Sequence, residues 1–130
     1  MQDASSPEMD FSVIETMVRA IEQGDMEALR TCFTPDARVW HNYDGVELDV
    51  DGTIAGLASL CEQSHRRTYE KRRMTTVGRL AFLQHTLAVE LDSGKRMELV
   101  AAMRVEIGPE GLISRIEEYF DSRALDVLGP

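Results

Sequence analysis

Along the first half of the chain apolar residues recur at spacings of three and four, and from residue 68 the period drops to two. In "SVIETMVRAIEQGD", Ile14, Met17, Val18 and Ile21 mark one face of an amphipathic helix. Ser12 and Glu15 are spaced as a capping box, and Gly24 is a natural stop. Asp25 is placed to cap a second short helix, "MEALRTCF", which ends before Pro35. "ARVWHNY" reads as a strand closed by the turn pair Asp44-Gly45, and "VELDVDG" as a loop or short strand. Thr53 then stands as the cap of a third helix whose stripe is Ile54, Leu57, Leu60 and Cys61.

The second half alternates. "TYEKRRMTTVGRL" is a charged strand at or near an edge. In "LAFLQHTLAVEL" the odd positions Ala81, Leu83, Leu87, Val89 and Leu91 are apolar, and "DSGK" turns the chain. Met97, Leu99, Ala101, Met103, Val105 and Ile107 then share a face opposite Arg96, Glu98, Arg104 and Glu106. "GPEG" makes a last turn into "LISRIEEYFD". Helices followed by a meander predict an α+β fold: a cone-shaped, curved antiparallel or mixed sheet with three N-terminal helices covering one face and a central pocket.

At 130 residues the chain is long enough for one domain, expected over 10–130, with residues 1–9 as a polar tail. Lys and Arg total 14 against 23 Asp and Glu, a formal charge of −9, which disfavours nucleic acid and anionic membrane surfaces as partners. The basic run "HRRTYEKRR" alternates with the strand and reads as a solvated face. There is no basic start followed by an apolar run, and no ~20-residue apolar span, so a cytoplasmic protein with two reduced thiols, Cys32 and Cys61, is expected.

The chemistry-bearing residues are few. His85 sits in the apolar row between Leu83 and Leu87, either as a satisfied core histidine or as a pocket acid, base or donor. Asp121 ends the last strand, either as a surface residue or, if desolvated, as a base usable near neutral pH. It shares parity with Tyr119, Glu117, Arg115 and Ile113, unless a bulge resets the register. In "VWHNYDG", Trp40 and Asn42 share one face while Val39, His41 and Tyr43 share the other, so either set can line a pocket that packs a ring and orients an oxygen. "DVDG" lacks the twelfth-position Glu of a calcium loop, and the three histidines lie in separate segments, so no metal is expected. No phosphate loop, GxSxG or dinucleotide fingerprint is present, and no cofactor is expected.

"CFTPDARVWHN", the Gly52-centred entry to the third helix and above all "GLISRIEEYFDSRAL" resemble the SnoaL-like branch of the nuclear transport factor 2-like superfamily, over roughly residues 10–128. The resemblance implies the cone fold and a homodimer formed through the sheet. One such cone hosts isomerases, cyclases, dehydratases, epoxide hydrolases and non-enzymes. In the similar limonene epoxide hydrolases the Asp of "YFD" is the general base, which falls on Asp121 here. Their Tyr-x-Asn becomes Trp40-x-Asn42, without the phenol, and their Arg-x-Asp is absent near His85. The SnoaL cyclases use an acid–base Asp at the position of Asp121, often with a pocket His. The ketosteroid isomerases place an Asp near the position of His41. The expectation is a cofactor-independent lyase, isomerase or cyclase acting on a small hydrophobic or ring-containing substrate. Asp121, His85 and His41 would be catalytic, and Asn42, Trp40, Tyr43, Tyr119 and Met103 would line the substrate. The alternative is a non-catalytic small-molecule-binding or protein-interaction module.

Overall fold

A computed structural model describes residues 9–129. Of the expected tail, residues 1–8 lie outside the described residues, and Met9 packs half-buried on the core. The elements run α1 (Ser12–Gln23), α2 (Met26–Arg30), β1 (Phe33–His41), β2 (Glu47–Leu48), α3 (Val50–Glu62), β3 (Ser64–Val77), β4 (Leu80–Leu91), β5 (Arg96–Ile107) and β6 (Ile113–Phe120). A 3₁₀ helix (Ser122–Leu128) closes the chain. The six strands form one sheet in the order β2-β1-β6-β5-β4-β3. Every pairing is antiparallel except β1 with β6, which run parallel. The sheet is therefore mixed, and β3 is its charged edge, as the pattern predicts. Among the described residues no helix is long and apolar enough to cross a membrane.

Helix α1 buries the predicted stripe Ile14, Met17, Val18 and Ile21, and Ala20 with it. The odd rows of β4 and β5 face the helices, with Ala81, Leu83, Leu87, Val89, Met97, Leu99 and Val105 all buried. Two clusters result. One lies under α1 and α2 around Ile14, Leu29, Ile107 and Ile113; the other lies between β4 and β5 around Leu87, Val89, Met97 and Leu99.

Local capping departs from expectation at two helices. Ser12 and Glu15 form no box: the Asp10 carboxylate accepts the Ser12 N–H at 2.8 Å, and Glu15 instead grips Arg72 of β3 through two bonds of 2.7 and 2.9 Å. A bidentate charged pair is stronger than a box bond, so the tertiary contact wins. At α3 the cap is Asp49, which accepts the Gly52 N–H at 2.8 Å. Thr53 sits one turn inside, buried, and donates its hydroxyl to the Asp49 carbonyl. Asp25 caps α2 as expected, accepting the Ala28 N–H at 3.0 Å.

Two irregularities set the register of the site strands. Pro35 lies where β1 arches away from β6, so the pairing jumps from Phe33↔Ile113 to Arg38↔Arg115. On the other side of β6, Ile107 pairs with Ile113 and Glu106 with Arg115, leaving Ser114 as an extra, bulged residue. Both Ile113 and Ile116 are consequently buried, although their numbers differ in parity.

The end of α1 ties the helical layer to the sheet. Gly24 adopts φ +71°, and Arg67 of β3 donates to the carbonyls of Ile21 (2.9 Å) and Glu22 (3.2 Å). A cation on the last carbonyls satisfies groups that the helix itself leaves open. A methyl on Gly24 would meet Arg67 Nη2 at 3.2 Å on a backbone that L-residues rarely adopt. Gly24→Ala is expected to lower unfolding free energy by about 1–2 kcal/mol in urea titrations, and an unchanged midpoint would show that Arg67 is not a fixed tie.

Candidate functional site

Between the concave face of the sheet, α1, α3 and the 3₁₀ helix lies a cavity of about 260 Å³. Its walls are mostly aliphatic, from Met17 and Ile21 on α1 to Leu57 and Leu60 on α3 and Leu99 and Met103 on β5. Leu125 and Leu128 of the 3₁₀ helix complete the wall. The polar side chains that reach it are His41, Tyr43, Thr53, Tyr69 and Glu118, and no Lys or Arg is among the described residues that line it. A roomier depression of about 420 Å³ on the convex face is shallow, with Phe82, Ala102, Arg104 and Tyr119 along it, and holds no buried titratable pair.

The centre of the chamber is a cross-strand pair. His41 is the last residue of β1, and parallel pairing sets it opposite Glu118 of β6. His41 Nε2 lies 3.1 Å from Glu118 Oε1, with the two side chains only 18% and 16% exposed. The rings of Tyr43 (5.7 Å) and Phe120 (6.1 Å, edge-on) flank the imidazole. The hydrogen bond to Glu118 raises the His41 pKa above its ordinary value, against the opposing effect of burial; Asp44 adds a smaller push. Such a pair presents a carboxylate acceptor and an imidazolium donor side by side.

Asn42 fixes this rung from beyond the strand end. Its backbone N–H donates to the Glu118 carbonyl (3.1 Å), and its side-chain oxygen accepts the Phe120 N–H (3.0 Å). The side chain thus replaces a peptide partner for β6 after β1 has stopped, and the chain is free to turn at Asp44-Gly45. Asn42 holds the site together rather than lining it.

A further polar group of the chamber wall is Tyr69 of β3. Burial pushes its phenol far above the ordinary tyrosine range, so it stays a neutral O–H. Its backbone N–H is anchored on Glu22 Oε2 at 2.9 Å, and its ring meets His85 edge-on at 4.9 Å.

The structure thus brings His41, Tyr43 and Met103 together and separates the other expected residues from them. Asp121 lies outside the chamber with its side chain 65% exposed, where it caps the 3₁₀ helix by accepting the Arg123 N–H at 3.0 Å. Those bonds from Arg123 hold its pKa below the usual carboxylate value, the reverse of the desolvated base anticipated. Trp40 and Tyr119 face the convex side, stacked edge-on at 5.3 Å, and neither lines the chamber. His85 turns inward as alternation requires, but it stands behind Tyr69 and does not reach the chamber.

Glu118 and Tyr69 were missed by sequence reasoning. The signal for Glu118 was the short row Ile116, Glu118, Phe120, obscured because the bulge at Ser114 breaks parity with Ile113. Tyr69 was hidden inside a charged strand read as solvated. Among the described residues no group of three or more His, Cys, Asp or Glu side chains is arranged to hold a metal ion.

The SnoaL-like domain family matches residues 14–116. No curated protein matches the sequence. Among solved structures, TsrD from Streptomyces laurentii is 21% identical at a TM-score of 0.75, covering 94% of this chain and 98% of that one. A LEH-like epoxide hydrolase from M. tuberculosis is 17% identical at a TM-score of 0.70, covering 88% and 84%. A protein described as a SnoaL-like polyketide cyclase from Shewanella denitrificans OS-217 is 12% identical at a TM-score of 0.75, covering 89% and 93%. At these identities the solved structures establish the shared cone, while the domain match, spanning most of the chain, settles membership: this protein belongs to the SnoaL-like domain family.

Proposed function

We propose that the protein is a cofactor-independent isomerase, cyclase or lyase for a small, largely apolar molecule, working by general acid–base catalysis at His41 and Glu118. The observation that carries this reading is a titratable His–Glu pair kept nearly dry inside an otherwise greasy chamber. Removing two charges from water costs several kcal/mol per ion before their attraction is counted, so such a pair is a poor device for stability. It is a good device for moving protons, and perturbed titrating groups in a cleft mark functional sites.

The chemistry balances within the site. The Glu118 carboxylate accepts a proton from an acidic C–H, the electron pair moves toward an adjacent substrate oxygen, and His41 delivers its proton to that oxygen. Reversal at a different carbon gives isomerisation; attack by the enol carbon on a second carbonyl of the same molecule, whose oxygen takes the proton from Glu118 while His41 takes back the enol proton, gives ring closure. The neutral phenol of Tyr69 supplies a further donor from the chamber wall. With no lysine or arginine along the described lining, an uncharged substrate suits the site best.

A second reading, a binding module without turnover, draws on the methionines Met17, Met97 and Met103, whose flexible thioethers adapt to varied ligands. The two readings share a surface. On the convex face Val100 (71% exposed) and Phe82 lie amid Arg96, Glu98, Arg104 and Glu106, a mixed-charge, self-complementary patch that suits a homodimer packed sheet to sheet.

Titration of the His41 ring by NMR is expected to give a pKa above 6.5 in the wild type. In Glu118→Gln burial and the smaller push from Asp44 remain, and the value is expected to fall below that of the wild type. Because the folded-state value is raised, the stabilising coupling is full below pH 6.5 and fades as pH rises through the His41 pKa. Equal titration curves for both proteins would dismiss the coupling.

Function is tested by screening uncharged ring compounds by thermal shift and following each hit by mass spectrometry. Glu118→Gln and His41→Gln are each expected to slow turnover by about 10²–10⁴-fold, with a loss of rate on the alkaline side that follows the His41 titration. Asp121→Asn is expected to stay within a few-fold of wild type. Ligands that bind all four proteins equally and emerge unchanged would establish the binding module instead.

A further inference from the structure

Gly56 stands in the middle of α3 (Val50–Glu62), where glycine is among the poorest helix formers. Neither ordinary reason for a glycine applies to it. Its φ is not positive, and a Cβ built on it meets nothing within 4 Å. Gly52, one turn earlier, is different: a Cβ there would lie 3.3 Å from Asp49 Oδ1 and 3.4 Å from Leu48 Cδ2. The tight entry to the helix thus accounts for Gly52, while no packing or backbone demand accounts for Gly56.

What Gly56 does have is a place on the chamber wall. Thr53, Gly56, Leu57 and Leu60 recur at helical spacing and form the face of α3 that lines the cavity. The missing side chain leaves a notch in that row. Among the described residues that line the chamber, Tyr43 and Gly56 alone are exposed. The deeper walls, with Met17 and Ile21 of α1 and Leu87 and Leu99 of the sheet, are buried. The chamber therefore meets solvent where Tyr43 and Gly56 stand. The Tyr43 ring leads inward from there, 5.7 Å from the His41 ring and 5.2 Å from that of Phe120.

We propose that Gly56 is the gate of the chamber: its lack of a side chain leaves a slot, faced by the Tyr43 ring, through which an uncharged, flat ring compound passes to the His41–Glu118 pair. The entrance rests on the chamber being the ligand site, as both functional readings have it. Leu57 and Leu60 beside the notch are apolar, so a charged entrant would shed its water with no partner in return. A planar ring has one thin dimension to pass a slot, and Tyr43 offers it an aromatic surface on the way in. A larger side chain at position 56 would project into free space over the opening and narrow it without displacing a neighbour.

The test follows prodan, an uncharged naphthyl ketone whose emission reports polarity, by stopped-flow fluorescence. Wild type is compared with Gly56→Ala, Gly56→Leu and a control, Ala55→Leu, at an exposed position of α3 that does not line the chamber. Movement of the His41 ring signals in NMR spectra places the probe in the chamber. Gly56→Leu is expected to slow association and dissociation together by about tenfold or more, leaving Kd within a few-fold. Gly56→Ala should fall between, and Ala55→Leu should match wild type. Gly56→Ala is also expected to raise Tm by about 2–5 °C, as a helix gains when a glycine without a packing role is replaced.

An unchanged association rate in Gly56→Leu, equal slowing in Ala55→Leu, or a weaker Kd through faster dissociation alone would overturn the entrance. A lower Tm for Gly56→Ala would do the same, by giving the glycine a structural role. Binding that leaves His41 unmoved, or no binding at all, would remove the chamber as the ligand site and the entrance with it. Unchanged turnover in Glu118→Gln, by contrast, would dismiss the acid–base reading and leave the entrance standing.

Discussion

The parallel pairing of β1 with β6 is the constraint on which the site depends. A parallel neighbour is slanted and needs a long crossover, here nearly the entire chain between residues 41 and 113. That crossover carries α3 and the β3–β5 meander, so the same topology that joins the two site strands also builds the walls around them. His41 and Glu118 meet because they are partners across this one ladder, and Tyr43 and Phe120 flank the imidazole against solvent.

Polar groups around the chamber are partitioned with some economy. Charges that serve the fold sit on its periphery: Arg67 on the carbonyls ending α1, Glu15 with Arg72, Arg115 with Glu47 and Glu117. Inside, the charge pair is solitary, and the other wall groups are neutral hydroxyls. In a low-dielectric space an isolated pair acts over longer range than the same pair at the surface. The peripheral pairs gain little individually, yet Arg67 and the Glu15–Arg72 pair tie the edge strand β3 to α1 on either side of Tyr69.

The alternating strands were legible because each has one plainly apolar face: the inward rows of β4 and β5 are where parity places them, His85 included. Helix faces were likewise readable, as was the Asp25 cap, whereas two other caps were not: Glu15 has a tertiary partner in Arg72, and Asp49, four residues before Thr53, takes the cap of α3. The candidate site was legible in part. His41, Tyr43 and Met103 reach the chamber, but the acid was sought at Asp121, beyond the strand's end, where an exposed cap awaits it. Period-two reasoning fails across Ser114, because one unpaired residue reverses every side chain after it. Tyr69 was unreadable for a different reason: the charged sequence around it describes its neighbours' exposure and not its own.

The bulge at Ser114 therefore acts as a selector of chemistry. Were Ser114 paired in the ladder instead of bulged, alternation from Ile113 would turn Glu117 to the interior in place of Glu118, and Glu117 travels with Arg115 and Arg104 as its companions. A cavity furnished that way would hold a carboxylate already committed to guanidinium groups, suited to anchoring anions rather than relaying protons. Within such a fold, whether one residue outside the chamber lining bulges or pairs decides which carboxylate the hollow receives.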